Sequence, residues 1–224
     1  GRARHPVPVG EPVVHTTREL LGNARTTAEA LAILATKAPM VSHMLMLADA
    51  TGDVAIVERA PGEPLFVRRG KGKVPLTNHF EGPLSMDPAN QQIETVTSTR
   101  PRRIRLDELL SNLPGSASVE DIVSVLRDRK GVGGVPLALG NRRSIDALIA
   151  THSVVMDSTA KVLWVSEGPH LVGRYLRFDL ARLLDPAFTP SAGDPIVALP
   201  ADPILTNGQY RAWVEAGSPH KGEP

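Results

Sequence analysis

Apolar and polar positions along the chain change their period four times, and each change predicts a different kind of element. Near the start, TRELLGNA (17–24) and TAEALAILATKA (27–38) read as two short helices. Thr16 or Thr17 can cap the first, and Thr26 with Glu29 fits a capping box for the second. Leu31, Leu34 and Ala35 form the apolar stripe of the second helix, and Pro39 ends it. The period then shortens. SHMLMLADATGDVAIVERAPG (42–62) reads as strand, tight turn, strand: Met44 to Leu47 are continuously apolar, and Ala50-Thr51-Gly52-Asp53 carries turn residues. PLFVRR (64–69) predicts a third strand. Gly70-Lys71-Gly72 is expected to turn into a fourth that ends on Thr77-Asn78-His79-Phe80.

A second helical section follows. RRIRLDELLSN places Ile104, Leu106, Leu109 and Leu110 at helical spacing, and SVEDIVSVLRDR predicts a further helix capped by Ser118 or Ser116. The last β section is ALIATHSVVMDSTAKVLWVSEGP. Here Ala150–Asp157 and Val162–Ser166 are the expected partners across Ser158–Lys161, and Arg174–Leu180 is a further strand. From Asp185 onward Pro186, Pro190, Pro195, Pro200 and Pro203 predict a surface-wrapping tail, within which 206–217 can hold one short helix. Helices, antiparallel strands, helices and antiparallel strands in that order predict the α+β class, with helices packed on sheet faces.

Composition narrows the function classes. The 224 residues carry 25 basic and 24 acidic side chains, a formal net charge of +1, which argues against bulk-charge nucleic-acid binding. A chain of this length can bury roughly 70% of its unfolded surface without covalent staples. There is no cysteine, so the chain itself supplies neither a disulfide nor a thiolate ligand or nucleophile. The seven histidines form no HxxxH or HExxH pair, and no metal or cofactor is expected. No apolar run approaches the ~20 residues of a membrane helix, so a soluble protein is expected.

Few residues suggest chemistry by themselves. Asn78, a carboxamide at an expected strand end, could donate to an oxyanion, although satisfying the turn backbone is the simpler reading. His79 could be a general base or a polar core residue. His152, Ser153 and Asp157 carry the letters of a serine-hydrolase triad. They share one expected strand, where neighbours alternate faces, and no GxSxG elbow is present. The glycine-rich stretches at 70–73 and 131–134 lack P-loop and dinucleotide-binding spacing and read as turns.

Taken in order, GEPVVHTTRELLGNARTTAEALAIL, MLMLADATGDVAIVE, TNHF, STRPRRIRLDELL and THSVVMDSTAKVLWVSEGPHLVGRYLRFDL resemble the later part of the acyl-coenzyme A:6-aminopenicillanic acid acyltransferase family. These are N-terminal-nucleophile (Ntn) hydrolases. The resemblance runs from about Gly10 to Leu184 and implies an αββα sandwich with antiparallel sheets, incomplete in this chain. It also implies a precursor that cuts itself to expose an N-terminal cysteine, whose thiol attacks an amide or thioester carbonyl. The implied substrate is a small-molecule amide or acyl thioester. Asn78 stands at the family's oxyanion-donor position, His79 and Thr77 accompany it in the motif, and Thr151 falls on a recurrent, structural position. The expected organisation is an extended lead-in over 1–12, a partial Ntn domain over 13–184 and a Pro-rich tail over 185–224. With Gly1 first and no cysteine, the nucleophile is expected on an upstream segment or companion chain, and this chain alone is expected to be inactive. The alternative reading is a non-catalytic binding or structural domain on the same scaffold.

Overall fold

The computed structural model describes residues 2–70, 72–191 and 193–220. The expected turn at Gly70-Lys71-Gly72 therefore falls partly outside the described residues, at Lys71, as do the end of the Pro-rich tail and Gly1. The chain divides into two compact units that meet in sequence between Arg103 and Ile104.

In the first unit two helices, α1 (Val13–Asn23) and α2 (Thr27–Ala35), precede three strands, β1 (His43–Ala48), β2 (Val54–Arg59) and β3 (Phe66–Arg69). α1 starts earlier than the sequence pattern suggests, after Pro12, and no side chain caps it. Thr26 caps α2 by accepting the Glu29 N–H at 3.1 Å. The Glu29 carboxylate, however, reaches back past the cap to the Arg25 N–H at 2.6 Å, so the reciprocal pairing of a capping box is not made. The strands form one antiparallel sheet in the order β1-β2-β3, with Leu45, Val57 and Val67 in one row and Met44, Glu58 and Phe66 in the next. Strand side chains alternate between faces. One row therefore meets the helices, where Leu20, Ala30, Leu34 and Val57 form a core that Leu45 and Leu47 flank. The other row meets a separate cluster of Ala3, Ala60, Phe80 and Leu84, against which Met44 packs.

The β1–β2 turn is tied to α2 by one carboxylate. Asp49 accepts the N–H and hydroxyl of Thr51 at 2.8 and 2.6 Å and the backbone N–H of Thr27 at 2.8 Å. Those donors, the Thr27 N–H foremost, hold the Asp49 carboxyl well below the usual carboxylate range.

The expected fourth strand is not formed. Residues 73–80 do not join the sheet, and the reason is local: Pro75 has no N–H for a ladder, and the N–H groups of Asn78 and Phe80 go to side chains. A helix the sequence pattern did not reveal follows, α3 (Pro88–Val96), capped by the Asp87 side chain on the Ala89 N–H at 2.9 Å. PANQQIETV has too few apolar residues to mark a stripe, so only its Asp-Pro start could have announced it. α4 (Thr99–Asn112) begins in the first unit and continues into the second.

The second unit contains α5 (Val119–Leu126); of the two serines expected as caps, Ser118 is the cap, and Asp121 completes a capping box with it. Its antiparallel sheet has the order β4-β5-β6-β7, built from β4 (Val154–Asp157), β5 (Val162–Ser166), β6 (Tyr175–Asp179) and β7 (Ala198–Leu199). The short helices α6 (Leu180–Leu183) and α7 (Gln209–Glu215) complete it. β4 is four residues shorter than the sequence pattern suggests, because Ala150–Ser153 lie outside the strand. The two sheet faces differ: Asp157, Arg177 and Asp179 lie on the same face as Val162 and Tyr175. Val162 and Tyr175 are buried there, while Val154, Met156, Leu163, Val165, Leu176 and Phe178 share the other, where Met156 is 70% exposed.

Two arginines after α5 join distant parts of this unit. Arg127 donates to the carbonyls of Leu171, Gly173 and Pro200, and Arg129 pairs with the carboxylates of Asp146 and Asp202. The α+β class is thus observed, with two antiparallel sheets.

Leu34 is 1% exposed at the centre of the helix–sheet core of the first unit. Leu34→Ala should cost about 2–5 kcal/mol, the usual range for a buried leucine truncation, read as a lower urea midpoint with an unchanged slope.

Candidate active site

Residues 77–82 form a turn whose backbone is held by buried side chains from three other elements. The Asn78 N–H donates to Thr99 Oγ1 at 2.9 Å, at the start of α4. The Phe80 N–H donates to Asn90 Oδ1 at 2.7 Å, from α3, and Asn90 Nδ2 returns a bond to the Phe80 carbonyl at 3.2 Å. The Glu81 and Gly82 N–H groups both donate to the Glu58 carboxylate, on β2, at 2.9 and 3.0 Å. Thr99, Asn90 and Glu58 are almost wholly buried, at 0%, 0% and 1% exposure. A buried N–H needs an acceptor, and these three side chains stand where a neighbouring strand would otherwise be. Gly82 is required by close approach: a Cβ there would collide with the Phe66 ring and crowd the Glu58 carboxylate.

On this frame Asn78 is exposed and its backbone is fixed. Its side chain is oriented as well, because Arg102 Nη2 donates to Asn78 Oδ1 at 2.7 Å. A guanidinium can only donate, so the atom facing it is the carbonyl oxygen, and the NH₂ lies on the opposite side of the carboxamide. The result is a neutral donor group with its acceptor already occupied. Arg102 was missed by sequence reasoning, which read RRIRL only for helical spacing. The available signal was a run of four arginines, Arg100, Arg102, Arg103 and Arg105, in the first two turns of α4, where the helix dipole disfavours positive charge. The other three members of the run meet carboxylates: Arg100 stands 3.8 Å from Glu94, Arg103 stands 3.3 Å from Glu81, and Arg105 pairs with Asp128 at 2.9 Å.

His79 lies behind Asn78 and is 6% exposed. Its Nδ1 is 3.0 Å from Thr99 Oγ1 and 3.1 Å from Thr77 Oγ1. Burial pushes the imidazole below the usual histidine range. Glu94 and Glu81 oppose that shift and Arg103 adds to it. The structure thus brings Thr77, Asn78 and His79 together through Thr99, which no sequence motif singles out.

The other sequence candidates go elsewhere. His152 Nδ1 meets Thr151 Oγ1 at 3.1 Å, Ser153 donates its N–H to Ser166 Oγ at 2.7 Å, and Asp157 accepts the Ala160 N–H at 2.8 Å, so each triad letter has its own local partner. The glycine loop at 131–134 turns its Gly133 N–H onto the chain's own Glu108 carboxylate at 2.9 Å. Among the described residues no group of three or more His, Cys, Asp or Glu is placed to hold a metal ion, and no helix is long and apolar enough to cross a membrane.

Two antiparallel sheets with flanking helices define an α+β protein, in which Thr99 and Arg102 hold one exposed carboxamide. The chain belongs to the acyl-coenzyme A:6-aminopenicillanic acid acyltransferase family, whose family model matches residues 1–168. Neither the curated proteins nor the solved structures gave a match. Family membership implies an enzyme of the acyltransferase or hydrolase type acting on small molecules.

Asn90→Ala should leave the Phe80 N–H and C=O buried without partners. The expected cost is about 1–3 kcal/mol for each orphaned group, seen in chemical denaturation together with faster hydrogen exchange at Phe80.

Proposed function

We propose that the 77–82 turn is the oxyanion-binding part of an Ntn-type amide hydrolase or acyltransferase, with Asn78 as the donor. The observation that carries this reading is the 2.7 Å bond from Arg102 to Asn78 Oδ1, which turns the NH₂ of an exposed carboxamide away from the guanidinium. The nucleophile is a cysteine outside these 224 residues, which contain none. It is exposed at a new N-terminus by self-cleavage, and its α-amino group takes the thiol proton. The thiolate adds to the carbonyl of a non-peptide amide or an acyl thioester. The carbonyl π electrons move to oxygen, and that oxyanion accepts a hydrogen bond from Asn78 Nδ2–H. Collapse re-forms C=O and breaks the bond to the leaving amine or thiol, which departs with the proton. Water or an amine then attacks the acyl-enzyme thioester by the same steps in reverse and regenerates the thiol.

A neutral amide suits this role because it gains most where charge develops and cannot itself ionise. His79 and Thr77 serve the site by fixing the turn. The Ntn domain extends over 13–184 as a partial αββα sandwich, between a lead-in over 1–12 and a Pro-rich tail over 185–224.

In the enzyme carrying its nucleophile, Asn78→Ala should lower kcat by about 10²–10³-fold with little change in KM, the usual loss for one oxyanion donor. A near-normal kcat would remove Asn78 from the mechanism and favour a binding or structural role for this turn.

A further inference from the structure

Thr99 Oγ1 occupies a position with few alternatives. It is fully buried and accepts the Asn78 N–H, so its single hydroxyl hydrogen must be donated elsewhere. The acceptor at hand is His79 Nδ1, 3.0 Å away. That bond requires an unprotonated Nδ1, which places the proton of the neutral ring on Nε2. Thr77 Oγ1, 3.1 Å from the same nitrogen, faces the same lone pair. A protonated ring turns Nδ1 from acceptor into donor. The Thr99 hydroxyl then faces two donors, the Asn78 N–H and Nδ1–H, and its own hydrogen loses its acceptor in a site closed to water.

We propose that the chain Asn78 N–H to Thr99 Oγ–H to His79 Nδ1 is a relay that sets the position of Asn78 according to the charge of His79, holding the turn when the ring is neutral and releasing it when the ring is protonated. His79 is a positioning residue in this arrangement and does not touch the reacting atoms. Among the described residues, the charged groups acting on it are Glu81 in the same turn, Glu94 on α3 and Arg103 on α4. The two carboxylates favour the imidazolium, while burial and Arg103 favour the neutral ring, and burial is the largest effect. With the folded value below the usual ~6.5, the neutral-ring arrangement is fully present above that pH. It is lost as pH falls through the lower folded value.

The relay's effect on catalysis rests on the assignment of Asn78 as oxyanion donor, but the relay itself can be read without turnover. The 224-residue chain would be titrated from about pH 8 to about pH 5 by NMR, following the His79 ring carbons and the Asn78 amide. Both signals should move with one midpoint below ~6.5, and the neutral ring should carry its proton on Nε2. Thr99→Ser should keep this coupling. In Thr99→Val the ring should titrate while the Asn78 amide stays still; if that variant does not fold, the wild-type and serine titrations decide the matter. An Asn78 amide that ignores the His79 titration in the wild type, or a neutral ring protonated on Nδ1, would overturn the relay. In the enzyme carrying its nucleophile, kcat should fall about tenfold per pH unit below the same midpoint. Coupled NMR signals alongside a normal kcat in Asn78→Ala would uphold the relay and defeat the oxyanion reading alone.

Discussion

The site depends on a substitution of side chains for a strand. Four consecutive-region N–H groups, those of Asn78, Phe80, Glu81 and Gly82, are accepted by Thr99, Asn90 and Glu58. Had residues 73–80 joined β3 as a fourth strand, ladder bonds would have satisfied this backbone and Asn78 would have alternated with its neighbours. Breaking away at Pro75 leaves the turn dependent on three buried polar residues from three elements, and in return fixes one exposed carboxamide. Each of the three is buried with its hydrogen-bonding capacity engaged, which makes the frame specific: moving any one of them orphans a donor in the turn.

The same economy explains Phe80 and Gly82. Phe80 is fully buried in the cluster with Ala3, Ala60 and Leu84, so it anchors the turn by apolar packing while its backbone is held by Asn90. Gly82 allows the chain to pass against Phe66 and the Glu58 carboxylate. The turn is therefore fastened to α4 at Asn78, through Thr99, and to β2 at Glu81 and Gly82, through Glu58.

Much of the fold was legible in the sequence because its signals are local. The α5 serine cap, the β1–β2 turn and the β4–β5 turn depend on residues a few positions apart, and they appear where the pattern puts them. α3 was not legible, because its sequence has no stripe. The fourth strand was misread, because KVPL has strand-like composition but its partner bonds depend on residues that come later in the chain. Of the site, Asn78 and His79 could be named from the motif, and the family match over residues 1–168 agrees with the resemblance that named them. Thr99 and Arg102 could not, since a threonine at a helix start and an arginine in a basic run look ordinary until the fold sets them 2.9 and 2.7 Å from Asn78.

The central claim is that this turn serves an acyl-enzyme whose nucleophile lies outside residues 1–224. The direct measurement is the intact mass of the protein produced from its full natural reading frame, before and after incubation with an amide or thioester substrate. The expected result is a cleaved partner chain beginning with cysteine that gains the acyl mass, while the chain described here keeps its own. Turnover with no acylated cysteine, or an acyl group carried by a residue within 1–224, would contradict it.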